Sequence, residues 1–254
     1  MRKHVTVTLC FTCTAGAFSV FFRWLQLITA FEADSGLPVR NAWASLAVIA
    51  VTLFSAAMLA VLTLISRKHS TRAAPCSKLP AETAVFSAVS WIAGILTMAG
   101  AVMIFISGDG GSSSVGKTYA GLAFIAGFGY PAFISLNKRS SGFLTCLLSL
   151  IPVVFCSYWL IISYKDHAAN PVIWEFVFEI LAISASILSF FFVAGYPCGS
   201  PKPAVTFYFC NLAAYLCIVT LADAHPFPQT LIFLSMALIG LLYAGAALNN
   251  ENKT

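Results

Sequence analysis

Charge is what this sequence has least of. Asp, Glu, Lys and Arg together make up 9% of its 254 residues, against roughly 25% in an ordinary soluble domain. Hydrophobic residues make up 59%, more than a water-soluble fold of this size can hide, so a soluble globular domain is excluded. Long polar segments are missing too. The longest connection between apolar stretches is the 18-residue "SRKHSTRAAPCSKLPAET", so no extramembrane domain fits between them. The four His show no zinc-protease spacing, and there is no serine nucleophile elbow. No carboxylate pair, Ser/His/Asp set or metal cluster stands at catalytic spacing. The sequence therefore predicts a protein that is not an enzyme and uses no cofactor and no metal.

What is present is a series of apolar runs. A hydrocarbon core of about 30 Å needs about 20 predominantly apolar residues to cross it as a helix. Eight such stretches run from Val5 to Thr29, Trp43 to Ile65, Ala84 to Ser107, Tyr119 to Ser135, Phe143 to Ser163, Val172 to Gly195, Ala204 to Leu221 and Thr230 to Leu248. Inside a bilayer every backbone polar group must be paired within the protein, which only helices and closed barrels achieve. Continuous runs without strict alternation favour helices. The fold class expected is an all-α integral membrane protein with eight transmembrane helices, and the lipid bilayer is its first partner.

Lys and Arg set the expected orientation, because they gather on the cytoplasmic side. One set of ends holds Arg2, Lys3, Arg67, Lys68, Arg72, Lys78, Lys138, Arg139, Lys202 and Lys253; the opposite set holds Arg40, Lys117 and Lys165. Ten against three predicts a multi-pass protein of the cell membrane with both termini cytoplasmic. On this reading the net charge of +5 marks orientation and does not point to nucleic acid. "MRKH" followed by "VTVTLCFTC" and "AGA" imitates a signal peptide. The apolar run continues through "FSVFFRWLQLI", so an uncleaved first helix is expected.

Three weak self-similarities occur in the same order. "RWLQL" pairs with "YWLII", "PCSKLPAETAVF" with "PCGSPKPAVTF", and "GFGYPAFISLN" with "GLLYAGAALN". They suggest two parallel four-helix repeats, residues 1–140 and 141–254, by internal self-similarity. Shared membrane composition is the plainer explanation of each match taken alone.

The most specific motif is "GGSSSVGKT", which fits the phosphate-loop pattern through Gly111, Gly116, Lys117 and Thr118. Such a loop needs a strand before it, and an acidic residue from another strand to hold magnesium. Here the preceding run, from Ala84, is long enough to span. The motif reads as a false positive: a turn between two membrane helices, with Thr118 as a cap for the second, and no nucleotide site.

Ionisable residues inside a span are costly and mark functional sites by default. Arg23 lies in the first stretch, and Glu175 and Glu179 lie in the sixth within "VIWEFVFEILAI". The two glutamates are four apart and share a helical face. Arg23 comes about 27 Å along its helix from Val5, near the outer boundary, and the glutamates fall about 6 and 12 Å below that boundary. Asp223 and His225, at the outer end of the seventh stretch, reach the same region, as do Gln26, Glu32 and Asp34. Glu175, Glu179, Arg23 and Asp223 are thus candidate ligands for a small solute or ion, with Arg23 as the counter-charge of the glutamates. The plainer alternative is a structural Arg23–Glu175 pair.

"CFTC" places Cys10 and Cys13 in an apolar helix with no further ligand in sight, so neither redox nor metal chemistry is expected of them. Cys76 and Cys198 fall at the cytoplasmic ends, where lasting disulfides are not expected. Pro131, Pro152, Gly121, Gly127 and Gly129 predict bends and close helix approach. Function divides into two expectations: a small permease-like or channel-like protein for a small solute or ion, or a non-catalytic subunit, sensor or scaffold that binds a membrane-protein partner.

Overall fold

A computed structural model describes residues 3–31, 39, 42–70, 79, 84–107, 114–139, 142–168 and 172–248. It contains eight α-helices: α1 (Lys3–Thr29), α2 (Trp43–Ser70), α3 (Ala84–Ser107), α4 (Ser114–Arg139), α5 (Phe143–His167), α6 (Ile173–Ala194), α7 (Pro203–Thr220) and α8 (Phe227–Ala247). All eight are long and apolar enough to cross a membrane, and the all-α membrane class follows. Each helix covers one of the apolar runs. Several extend past it by a turn or more, α4 beginning at Ser114 where the apolar run starts at Tyr119, because a helix need not stop where the hydrocarbon does. Two helices begin on proline, Pro203 in α7 and Pro228 in the first turn of α8, where the missing N–H costs nothing.

The helices form a ring of six. α3 packs on α4, α4 on α5, α5 on α6, α6 on α7, α7 on α8 and α8 back on α3, while α1 and α2 lie outside the ring against α7. α8 is the most enclosed helix and α2 the least. Contacts cross between the two halves of the helix order: α3 leans on α8, and α7 on α1 and α2.

Packing is closest where glycines face each other. A Cβ on Gly94 of α3 would stand 2.5 Å from the carbonyl oxygen of Gly127 on α4, and one on Gly127 would stand 2.9 Å from that of Gly94. Such mutual backbone contact is how membrane helices, which gain nothing hydrophobic by leaving lipid for each other, obtain their attraction. The expectation of close approach holds at Gly127; at Gly121 a Cβ would meet nothing within 4 Å. α4 and α5 run on as helix through Pro131 and Pro152.

The outer helix α1 shows how an apolar segment is oriented in lipid. Its buried positions are Val5, Thr8, Thr12, Gly16, Ser19, Arg23 and Gln26, a mostly polar stripe at helical spacing that turns inward while Phe18, Phe21 and Trp24 are exposed. Two of these residues bridge to α7: Thr12 Oγ1 donates to Asn211 Oδ1 (2.9 Å), and Ser19 Oγ and the Tyr215 hydroxyl share a hydrogen at 2.7 Å. Cys10 and Cys13 lie on the exposed side of α1 as free thiols.

Cys146 and Cys198 form a disulfide, with Cα atoms 5.4 Å apart. This departs from the sequence expectation for Cys198. The first turn of α5 and the turn between α6 and α7 come together at the end of the bundle that carries residue 3 of α1, so two cysteines distant in sequence are neighbours in space.

Candidate functional site

At the opposite end, the ring encloses a cavity of about 1040 Å³. Its wall is built from α4 (Gly116, Tyr119), α5 (Trp159, Ser163, Lys165, Asp166, His167), α6 (Glu175, Glu179), the α7–α8 connection (Asp223, His225) and α8 (Pro228, Gln229). Toward the bundle centre it is floored by aromatic packing. Trp159 packs against Phe233 with centroids 4.7 Å apart, and against Tyr119 and Phe155 at 5.7 Å each. All four residues are buried.

Arg23 stands behind this wall, fully buried. Its Nε donates to Asp223 Oδ1 at 2.6 Å, its Nη1 to Gln26 Oε1 at 2.8 Å, and its Nη2 to the carbonyl oxygens of Trp174 (2.8 Å) and Glu175 (3.2 Å). The Phe178 ring lies 4.8 Å below the guanidinium carbon. One residue thus ties α1, α6 and the end of α7 together. Arg23 is not the counter-ion of the glutamates: it takes Glu175 by its backbone and pairs with Asp223. The reason is rotational. The first turn of α6 turns the Trp174 and Glu175 carbonyls toward α1, while the exposed Glu175 side chain contributes to the cavity wall.

Glu179, one turn deeper, is 4% exposed. Its Oε1 accepts a hydrogen bond from Ser163 Oγ at 2.7 Å, and its Oε2 faces His225 Nδ1 at 3.8 Å. The other ring nitrogen, His225 Nε2, faces Asp223 Oδ2 at 3.8 Å. His225 therefore sits between two carboxylates without a close bond to either. Among the described residues, Asp223 Oδ2, His225 Nε2 and the Tyr119 hydroxyl are buried polar atoms with no hydrogen-bond partner. Such atoms are uncommon in folded proteins and ask for a reason. Burial pushes the Asp223 carboxyl up from its ordinary 3.8 to about 6, against the lowering effect of Arg23 and with help from the charge of Glu179. Burial likewise holds His225 down at about 4, reinforced by His167 and Arg23. At neutral pH the imidazole is therefore uncharged, with one nitrogen donating and one accepting.

The structure brings Arg23, Glu175, Glu179 and Asp223 to one end, with His225 and Gln26 beside them. Glu32, Asp34 and Gly111 lie outside the described residues. Gly116, Lys117 and Thr118 stand within the first turns of α4, so Thr118 follows the helix start and does not cap it. Among the described residues α3, and no strand, precedes them; Gly116 contributes to the cavity wall. Tyr119, Trp159 and Ser163 went unrecognised at the sequence level. Tyr and Trp are common at membrane interfaces and Ser is common between helices, so their residue types alone carry no signal.

Eight apolar helices and a polar cavity sunk in one end define a polytopic membrane protein. No family model, curated protein or solved structure matches the chain.

Proposed function

We propose that the protein is a small permease-like or channel-like protein of the cell membrane, without enzymatic activity, whose cavity receives a small solute or ion. The observation that carries this reading is the cavity itself: about 1040 Å³, the size of a small-molecule site, with Glu179 and Asp223 buried in its wall. Carboxylates at such depth are retained at a cost and belong to solute or proton pathways more often than to inert bundles. Glu175 and Glu179 act as binding or coupling groups, and Arg23 fixes Asp223 in place. In liposomes carrying the purified protein, Glu179→Gln and Glu175→Gln are expected to lower solute uptake or proton movement at least tenfold; unchanged transport, proton coupling and stability in both variants would sink the reading.

The second reading, a membrane sensor or non-catalytic subunit with a membrane-protein partner, draws on the floor of the cavity. Trp159, Phe155, Phe233 and Tyr119 pack under it, which suits a one-sided receptor. It predicts ligand binding without flux and copurification with a partner.

The orientation belongs to the same proposal. The count of Lys and Arg places both termini in the cytoplasm and the cavity mouth outside. On that reading the Cys146–Cys198 disulfide faces a reducing compartment, where it is opened and forms again only on oxidation. Alkylation in denaturant of protein acid-trapped from cells should accordingly modify all eight cysteines, whereas air-oxidised protein should show six until it is reduced. Six in the acid-trapped sample would reverse the orientation.

A further inference from the structure

We infer that the cavity takes the ammonium group of a small primary amine, seated between Asp223, His225 and Tyr119 with its hydrocarbon body along the aromatic floor. The inference names a ligand class for the cavity described above, and it rests on that reading only in taking the cavity as the binding site.

Sign of charge comes first. Asp166, Glu175, Glu179 and Asp223 line the cavity with Lys165, and Arg23 lies behind Asp223. With His225 neutral, four carboxylates against two cations leave an excess of two negative charges. A cation is favoured over an anion or a neutral solute.

Number of hydrogen bonds comes next. A primary ammonium carries three N–H donors, and the wall holds three buried polar atoms without a partner among the described residues: Asp223 Oδ2, His225 Nε2 and the Tyr119 hydroxyl. Tyr119 is 6% exposed, and its hydroxyl can accept. A quaternary ammonium has no N–H and would leave all three unsatisfied. A bare metal ion is disfavoured because no group of three His, Cys, Asp or Glu side chains stands at metal-binding distance among the described residues.

Shape completes the match. The Tyr119 and Trp159 rings meet at 65°, forming two walls of a corner, and aromatic faces attract a cation placed over them. Ile104, Ile162 and Pro228 add apolar wall, which a hydrated inorganic ion would not use.

Acid should oppose binding. Asp223 is bonded to Arg23 of α1 and faces His225, and it shares the cavity wall with Tyr119 of α4, Lys165, Asp166 and His167 of α5, and Glu175 and Glu179 of α6. In this setting its carboxyl titrates near pH 6. A bound ammonium favours the ionised form, so affinity is highest above pH 6 and falls by up to about tenfold for each unit below it.

The test is 2-phenylethylamine binding to the full chain in nanodiscs, read by calorimetry, with 2-phenylethanol and trimethyl(2-phenylethyl)ammonium as comparisons. Expected is saturable amine binding, at least tenfold tighter than either comparison and weakened at least tenfold by Glu179→Gln. Tyr119→Phe removes a hydroxyl that no hydrogen bond among the described residues uses, so folding is preserved while affinity drops severalfold. Equal binding of amine and alcohol, or unchanged amine binding in both variants, overturns the inference. Amine bound without uptake into liposomes leaves the inference standing and refutes the permease reading. Uptake of some other solute, with no amine binding, does the reverse.

Discussion

Replacing Arg23 with alanine is expected to destabilise the protein by about 3–5 kcal/mol, the range for removing one partner of a buried ion pair. The cost arises from what is left behind. Asp223 Oδ1, Gln26 Oε1 and the carbonyls of Trp174 and Glu175 all accept from this guanidinium, and Arg23 is itself fully buried. Removing both charges should cost far less, because a buried pair replaced by apolar groups is often neutral. Arg23→Met combined with Asp223→Leu is therefore expected to recover most of the loss, as measured by unfolding in detergent. If the double variant is as unstable as Arg23→Ala, the ion pair is not what Arg23 contributes.

The pH dependence of that variant has a definite sign. In the native protein the folded pKa of Asp223 is raised to about 6, so its contribution is full below 3.8 and is lost as pH rises through about 6. The folded pKa of His225 is lowered to about 4, so its contribution is full above 6.5 and is lost as pH falls toward 4. Between pH 4 and 6 the two slopes oppose each other and native stability is nearly flat. Without the guanidinium, the Asp223 carboxyl moves further up. Arg23→Ala should then lose stability relative to the native protein as pH rises from 5 to 8, and lie closest to it in acid.

The second large effect is expected at Gly94. Alanine there places a methyl 2.5 Å from the Gly127 carbonyl oxygen, against backbone that has no rotamer through which to escape. A destabilisation of about 2–3 kcal/mol is expected, toward the upper end for overpacking. Gly121 is on the same helix as Gly127, with open space around its Cα. Gly121→Ala should be neutral, or stabilising by up to about 1 kcal/mol from helix propensity. Equal stabilities for the two variants in thermal unfolding would mean that α3 and α4 are not held at backbone contact.

The eight helices were legible in the sequence because the bilayer dictates the length of an apolar run, and the runs here are bounded by short polar connections. Their ends were less so: α4 begins at Ser114 because a helix can continue into the interface. Charges inside apolar runs singled out Arg23, Glu179 and Asp223, which the structure brings together at one end of the bundle. The pairing among them was not legible, since it depends on how α6 is rotated about its axis. Thr8, Thr12, Gly16, Ser19, Arg23 and Gln26 recur at helical spacing, and in lipid such a stripe marks the face that turns toward protein. The division into 1–140 and 141–254 rests on sequence self-similarity alone.

The enclosed position of α8 bears on how the protein is made. A ribosome delivers α1 through α7 before it, yet α8 fills the space between α3 and α7 and brings Phe233, against which Trp159 packs. Until it arrives, the inner faces of α3 and α7 have no mate except lipid, and the pocket has no base. Closure of the ring between α3 and α7 therefore waits for α8. A nascent chain halted after α7 would display to the membrane quality-control machinery the polar inner surfaces, among them Thr97, which meets Ser235 of α8 in the finished protein.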